Sequence, residues 1–252
     1  MPVAALYDIH GNLPALEAVL REVHAAGIEG IVVGGDVAPG PMPRECLARL
    51  SALDVPVRYI RGNCENDLLA RMRGGTLDHV PEQAREIMRW SADELRAAAT
   101  ALEGWPATVE LSIPGAGRVL FCHGTPDSAT EIFTRSTPDA RLARIFEGVT
   151  ADVVVCGHTH MQFDRMAGVV RVVNAGSVGM PFGEAGAYWL LLGSGIEFRR
   201  TEYDTAAAAT RIRKTRYPEA EAFAAHNVVQ PPTEAAMLAA FSKFDAPGED
   251  ST

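Results

Sequence analysis

The chain has 252 residues, 47% of them hydrophobic, 22% charged and 7% aromatic, the make-up of an ordinary globular protein large enough to fold without a disulfide or metal staple. Thirty-two acidic against 23 basic side chains leave a formal charge of −9, which opposes coating of nucleic acid or of an anionic membrane. No stretch approaches the roughly 18 apolar residues of a membrane span, and the start of the chain carries neither a basic n-region nor a cleavable signal, so the expected location is cytoplasmic.

Residues 3–7 are a short apolar run that stops at Asp8-Ile9-His10-Gly11-Asn12, and residues 13–26 then carry apolar side chains at helical spacing. The pattern of strand, polar loop and helix returns at 30–33, ending in Gly34-Gly35-Asp36 before a Pro-led helix over 43–53. A third strand, 57–60, runs into Arg61-Gly62-Asn63-Cys64-Glu65. Alternating units of this kind imply a largely parallel sheet. Residues 66–105 are rich in Ala, Glu, Arg and Leu and read as inserted helices, broken near Gly74-Gly75 and Pro81. Runs at 108–113 and 118–122 flank Pro114-Gly115-Ala116-Gly117, a hairpin signal, and the second ends at His123-Gly124-Thr125. A helix over 137–146 precedes a buried strand at 152–156 that stops at Gly157-His158-Thr159-His160. Strands at 162–166, 169–173, 187–192 and 196–203 are spaced like an antiparallel meander. Residues 204–246 form a helical extension interrupted at 228–232, and 247–252 read as a frayed tail. Neither repeats nor low-complexity tracts occur, and one domain over 1–252 is expected.

Asp8, His10, Asp36, Asn63, His123, His158 and His160 each fall just past the carboxyl end of a strand, where open α/β sheets place their ligand sites, and they are expected to converge. In an extended segment residues i and i+2 face the same way, so Asp8 with His10, and His158 with His160, can reach one ion. Their number suggests two ions. Two carboxylates, one amide oxygen and four imidazoles suit manganese, iron, cobalt, nickel or zinc, and spacing leaves the choice among them open. Cys46, Cys122 and Cys156 read as small core residues, and the four cysteines form no C-x-x-C pair for structural zinc.

These blocks resemble the calcineurin-like metallophosphoesterases, whose pattern is D-x-H, G-D, G-N-H-[DE], H and G-H-x-H. Asp8-Ile9-His10, Gly35-Asp36, Gly62-Asn63-Cys64-Glu65, His123-Gly124 and Gly157-His158-Thr159-His160 occur in that order, and the likeness spans roughly residues 3–203. Asn174-Ala175-Gly176-Ser177-Val178-Gly179 is similar to a turn of the family's small prokaryotic phosphodiesterase branch. The resemblance implies a four-layer α/β/β/α sandwich of two mixed β-sheets with inserted helices and a C-terminal helical extension. It implies that Asp8, His10 and His160 hold one divalent ion, that Asn63, His123 and His158 hold the other, and that Asp36 bridges the pair. Asp36 and Asn63 are then the residues closest to the chemistry, in-line attack on phosphorus by a metal-bridging hydroxide.

Two dications, less two aspartate charges and one hydroxide, leave a single positive charge, which matches a phosphodiester. Cys64 stands where relatives carry a histidine that contacts the phosphate. A thiol with an ordinary pKa near 8.5 is a weak, uncharged donor and helps a poor leaving group less, which favours diester over monoester hydrolysis. Asn12, Arg61, Cys64, Gly124 and Thr125 are candidates for substrate contacts because they adjoin the ligand blocks, although Asn12 equally suits a turn or helix cap and Cys64 equally fills space at the rim. His24, His79 and His226 are assigned to surface or ordinary packing, and Gly176-Ser177-Val178-Gly179 lacks the glycine two before the serine that a nucleophile elbow requires. The expected partner is a small phosphate ester, with neither stable nucleic-acid binding nor a membrane. The alternatives are a phosphomonoesterase or dinucleoside polyphosphate hydrolase, and a non-catalytic interaction scaffold of the same fold.

Overall fold

A computed structural model describes residues 2–245, so the expected tail at 247–252 lies outside the described residues. Two mixed five-stranded sheets stack face to face. The first has the order β10-β9-β1-β2-β3, built from β1 (Val3–Leu6), β2 (Gly30–Val33), β3 (Val57–Tyr59), β9 (Ala187–Leu192) and β10 (Ile196–Thr201). The second runs β4-β5-β6-β8-β7, from β4 (Thr108–Ile113), β5 (Gly117–Cys122), β6 (Val153–Cys156), β7 (Phe163–Ala167) and β8 (Val170–Asn174). β1, β2 and β3 pair in parallel, as do β5, β6 and β8. The strands at these sheet centres are short unbroken apolar runs, as burial on both faces demands.

Alternation along β1 sends Ala5 and Tyr7 toward the second sheet, where they meet Phe121, Val155 and Val173, and sends Ala4 and Leu6 outward. Helices α1 (Leu13–Ala25), α2 (Pro43–Ser51) and α7 (Thr205–Arg213) cover that outer face, and α6 (Asp139–Ile145) covers the far face of the second sheet. The layers are therefore α/β/β/α. The inserted helices α3 (Asn63–Met72), α4 (Glu82–Glu94) and α5 (Ala99–Glu103) share a smaller core around Leu68, Met88 and Leu95 beside the β3 edge, where Trp105 stacks on Tyr59 at 4.6 Å. In the carboxyl-terminal part, α8 (Ala220–Phe223) passes into a π-helical turn, Ala224–Val229, before α9 (Glu234–Phe241). Among the described residues no helix is long and apolar enough to cross a membrane.

The expected antiparallel meander is corrected. β7 and β8 form one hairpin in the second sheet, β9 and β10 form another in the first, and residues 175–186 cross between the sheets. Both pairs have hairpin spacing, so periodicity alone cannot tell one sheet from two. The crossing segment is anchored by long-range bonds: Val178 N–H donates to Tyr7 O at 2.9 Å, and Gly179 N–H donates to Asp8 O at 3.0 Å. The insertion also starts earlier than residue 66, because α3 begins at Asn63. The Glu65 carboxylate accepts the Gly62 N–H at 2.9 Å and satisfies an otherwise orphan donor at the helix start.

Candidate metal centre

The carboxyl ends of β1, β2, β5 and β6 and the start of α3 meet at one edge of the sandwich. All seven expected ligands are there. Asp8 Oδ1 lies 3.3 Å from His160 Nε2, 3.9 Å from His10 Nε2 and 3.8 Å from His123 Nε2. Asp36 Oδ2 lies 3.9 Å from His10 Nε2 and 3.5 Å from His123 Nε2, and Asn63 Oδ1 accepts from His123 Nε2 at 3.0 Å. The His158 ring meets that of His123 edge-on at a centroid distance of 5.2 Å. Asp8, His10 and His160 thus offer one cluster of donor atoms, and Asp8, Asp36 and His123 a second. Both carboxylates stand between the imidazoles.

The backbone that aims these groups is strained. Asp8, His10, Asp36, His158 and His160 all have positive φ, between 45° and 64°. The left-handed region costs a residue with a Cβ about 1–2 kcal/mol, and such strain gathers where geometry serves a site. This corrects the extended-segment reasoning: Asp8 and His10 share a direction through left-handed turns, not through strand alternation. Their turn is held against its neighbour by Asp8 N–H to Gly35 O at 3.1 Å and His10 N–H to Asp36 O at 2.9 Å. The glycines of the blocks have steric causes. A Cβ on Gly62 would stand 2.1 Å from Asp36 Oδ1, and one on Gly157 2.5 Å from Asp8 Oδ2.

Three rings are oriented from behind. His10 Nδ1 lies 3.2 Å from Pro39 O, His123 Nδ1 2.8 Å from Gly34 O, and His160 Nδ1 2.7 Å from Met180 O, so each donates at Nδ1 and turns Nε2 inward. Burial lowers the His10 pKa, aided by His160, and burial with the charge of His123 takes His158 down to about 4. Burial also disfavours charge on His123, but Asp36 and Asp8 outweigh it and raise its pKa to about 10. Burial opposes ionisation of Asp8 and Asp36 too, yet the surrounding histidines hold both carboxyls below their ordinary range.

The sequence reading gives Glu65 no role, yet it is a central strut. Its fully buried carboxylate accepts N–H from Asp36, Val37 and Gly62 at 2.8, 2.8 and 2.9 Å, tying the Asp36 turn to α3. A glutamate three residues past a helix-capping glycine was the available signal. Cys64 donates its backbone N–H to Asp36 Oδ1 at 3.0 Å, and its thiol lies within 4.8 Å of donor atoms of His10 and Asp36. Burial, reinforced by Asp36, pushes that thiol well above its ordinary pKa, so it stays protonated.

Of the other expected substrate contacts, Asn12 is corrected to the cap alternative. Its Oδ1 accepts Ala15 N–H at 3.2 Å, and its amide donates to Gly179 O and Tyr203 Oη at 2.9 and 3.3 Å, which uses both its N–H groups. Thr125 Oγ1 is engaged with the Ser128 backbone, Gly124 packs against Ser128 and Ala129, and Arg61 donates to Glu103 O at 3.3 Å. These contacts turn Asn12, Gly124, Thr125 and Arg61 toward their own loops and helices. Only Cys64 of the five lines the cleft of about 740 Å³ that opens over His10 and Asn63. Its walls are α4 and the turn after α8, including His226 and Asn227.

The donor set fits divalent cations on a structural ground: Asp8 Oδ1 is fully buried with no hydrogen-bond partner, an arrangement that is costly unless a cation meets it. Comparisons with known proteins agree. A protein of Methanocaldococcus jannaschii of undescribed activity is 28% identical over 238 residues, 86% of this chain and 94% of its own length. Phosphodiesterase YfcE of Escherichia coli is 26% identical over 185 residues, 70% of this chain and 78% of its own. The crystal structure of a metallophosphoesterase from Sphaerobacter thermophilus superposes with a TM-score of 0.70 at 26% identity, covering 90% of this chain and 99% of its own. The family model of the calcineurin-like phosphoesterase superfamily domain matches residues 1–193, and the chain therefore belongs to that superfamily of phosphoric ester hydrolases.

Proposed function

We propose that the chain is a phosphodiesterase working on a small phosphate ester with two divalent transition-metal ions. Asp8, His10 and His160 hold one ion, Asn63, His123 and His158 hold the other, and Asp36 lies between them. The observation that carries this reading is the partnerless, fully buried Asp8 Oδ1 facing three imidazole Nε2 atoms within 3.9 Å. Divalent cations held by these residues would supply Lewis acidity to a water nucleophile and to the phosphoryl oxygens.

The protein's own groups do the rest. Backbone carbonyls of Gly34, Pro39 and Met180 accept from Nδ1 of three imidazoles and so direct Nε2 toward the ligand cluster, where a cation would displace any proton it carries. Cys64 N–H holds Asp36 Oδ1, and Glu65, by accepting the Asp36 backbone N–H, holds the turn that carries it. The preference for a diester follows from charge. The cleft floor presents a neutral thiol at Cys64, and among the described residues no lysine or arginine lines the cleft to meet the second negative charge of a monoester. The likeness to a relative that is named a phosphodiesterase points the same way.

The test is turnover of bis(p-nitrophenyl) phosphate and p-nitrophenyl phosphate by purified full-length protein, stripped by chelation and reloaded singly with manganese, iron, cobalt, nickel or zinc. We expect metal-restored activity with kcat/KM at least about tenfold higher for the diester, that is, roughly 1.4 kcal/mol of transition-state preference. A monoester preference would overturn the role given to Cys64, and no turnover with any cation would favour the scaffold.

A further inference from the structure

The cleft above the metal centre is larger than a phosphate needs, and its walls come from parts of the chain that supply none of the seven ligands. One wall is α4, where Ala84, Ile87 and Met88 line the cleft. The other is the π-helical turn, closed by Gln230 N–H to Ala225 O at 3.0 Å. Ala224 and Val228 of that turn are buried in the main core, and His226 and Asn227 line the cleft. Such π-turns are uncommon and recur at functional sites. Trp90 on α4 meets Tyr217 edge-on at 5.4 Å, a contact between α4 and the segment that leads into α8 and the π-helical turn. A volume of about 740 Å³ is in the range of small-molecule sites.

The charges of the lining restrict its occupant. The acidic side chains there are Asp67 and Glu219, no lysine or arginine is present among the described lining residues, and most of the remaining wall is apolar. A second phosphate in this space would face carboxylates with no cation to meet it.

We propose that this cleft is the subsite for the non-phosphate part of the substrate and that it takes an uncharged, largely apolar group of ring size, with His226 and Asn227 bonding to its polar edge. The inference rests on the phosphodiesterase reading for the location of the phosphate. It assigns specificity to α4 and the π-helical turn, and it excludes substrates that carry further phosphates.

Three diesters that share a p-nitrophenolate leaving group, with methyl, naphthyl or phosphoethyl as the second substituent, test it on the manganese-loaded full chain. Binding of naphthylmethyl(methyl)phosphinate and of dimethylphosphinate, which carry the same single charge and no ester bond, is measured by calorimetry in parallel. We expect kcat/KM about tenfold or more higher for naphthyl than for methyl, expressed in KM, with the phosphoethyl ester below both. The phosphinates should rank likewise. Ala84→Asp on α4 and Ala222→Asp on α8, both at half-buried positions that line the cleft, should each reduce the naphthyl preference severalfold. Equal treatment of methyl and naphthyl, preference for the phosphoethyl ester, or a naphthyl preference untouched by both variants would overturn the subsite. If no ester is hydrolysed, the phosphodiesterase reading fails while phosphinate binding decides the subsite: tighter naphthylmethyl binding supports it, and equal binding overturns it.

Discussion

Asp36 is placed so that one carboxylate oxygen faces both His10 and His123 while the other is held by the Cys64 N–H. The substitution Asp36→Asn keeps the shape and removes the charge. In the proposed centre it should lower kcat by about a hundredfold or more while the melting temperature stays within a few degrees, measured by diester turnover and thermal denaturation. His123 gives a pH signature. Burial lowers its pKa, but Asp36 and Asp8 overcome that and lift it to about 10, so the metal-free protein keeps a proton there at neutral pH. A cation must displace that proton. Metal uptake should therefore release protons, and apparent affinity should rise with pH between the ordinary histidine value near 6.5 and about 10, as calorimetry in buffers of different ionisation heat will show. Uptake without proton release would contradict the ligand role of His123. For the metal-free fold the sign is opposite. Stability from the raised His123 pKa is complete below about 6.5 and declines as pH climbs toward about 10.

At the scale of elements, the turn after β2 and the start of α3 act as one unit because Glu65 spans them. Glu65→Ala would leave the buried N–H groups of Asp36, Val37 and Gly62 without a partner. At about 1–3 kcal/mol each, and with partial relaxation, a loss of about 3–5 kcal/mol is expected in urea unfolding. A loss below about 1 kcal/mol would show that the brace is dispensable. The brace also marks what the sequence could show. The order of strands and polar blocks pointed to the edge where all seven side chains lie, since successive strands of such a sheet end side by side, but it did not show the left-handed turns that aim them. The partners of Glu65 and the capping duty of Asn12 depend on loops far apart in sequence meeting at hydrogen-bond distance, and no local pattern carries that. The split of the expected meander between two sheets is likewise a long-range choice, made by the bonds from residues 177–179 back to Tyr7 and Asp8.

For the whole molecule, the carboxyl-terminal helices are part of the main core. Ala208, Ala209 and Ile212 of α7, with Tyr217, Phe223 and Val228 beyond it, share a cluster with Leu16, Leu20 and Trp189. Ending the chain after residue 203 would uncover that face of β9 and α1, so we expect insoluble or molten protein instead of a smaller active enzyme, read by gel filtration and near-ultraviolet circular dichroism. A soluble, cooperatively folding fragment would show the extension to be separable. Helices do form between Thr205 and Phe244, with the π-helical turn running through Val229 into the expected break, but the sequence is silent on this burial because an Ala-rich helix looks alike whether it packs on a core or on water. Residues 217–227 of the same segment also line the cleft, so in the proposed subsite one segment would serve both stability and the choice of substrate.

In the proposed centre, seven side chains between positions 8 and 160 gather two cations. Anomalous diffraction from crystals grown with manganese tests it most directly. Two peaks about 3.5–4 Å apart are expected, one beside Asp8, His10 and His160, one beside Asn63, His123 and His158, with Asp36 between them. A single peak, or manganese bound away from these residues, would contradict it.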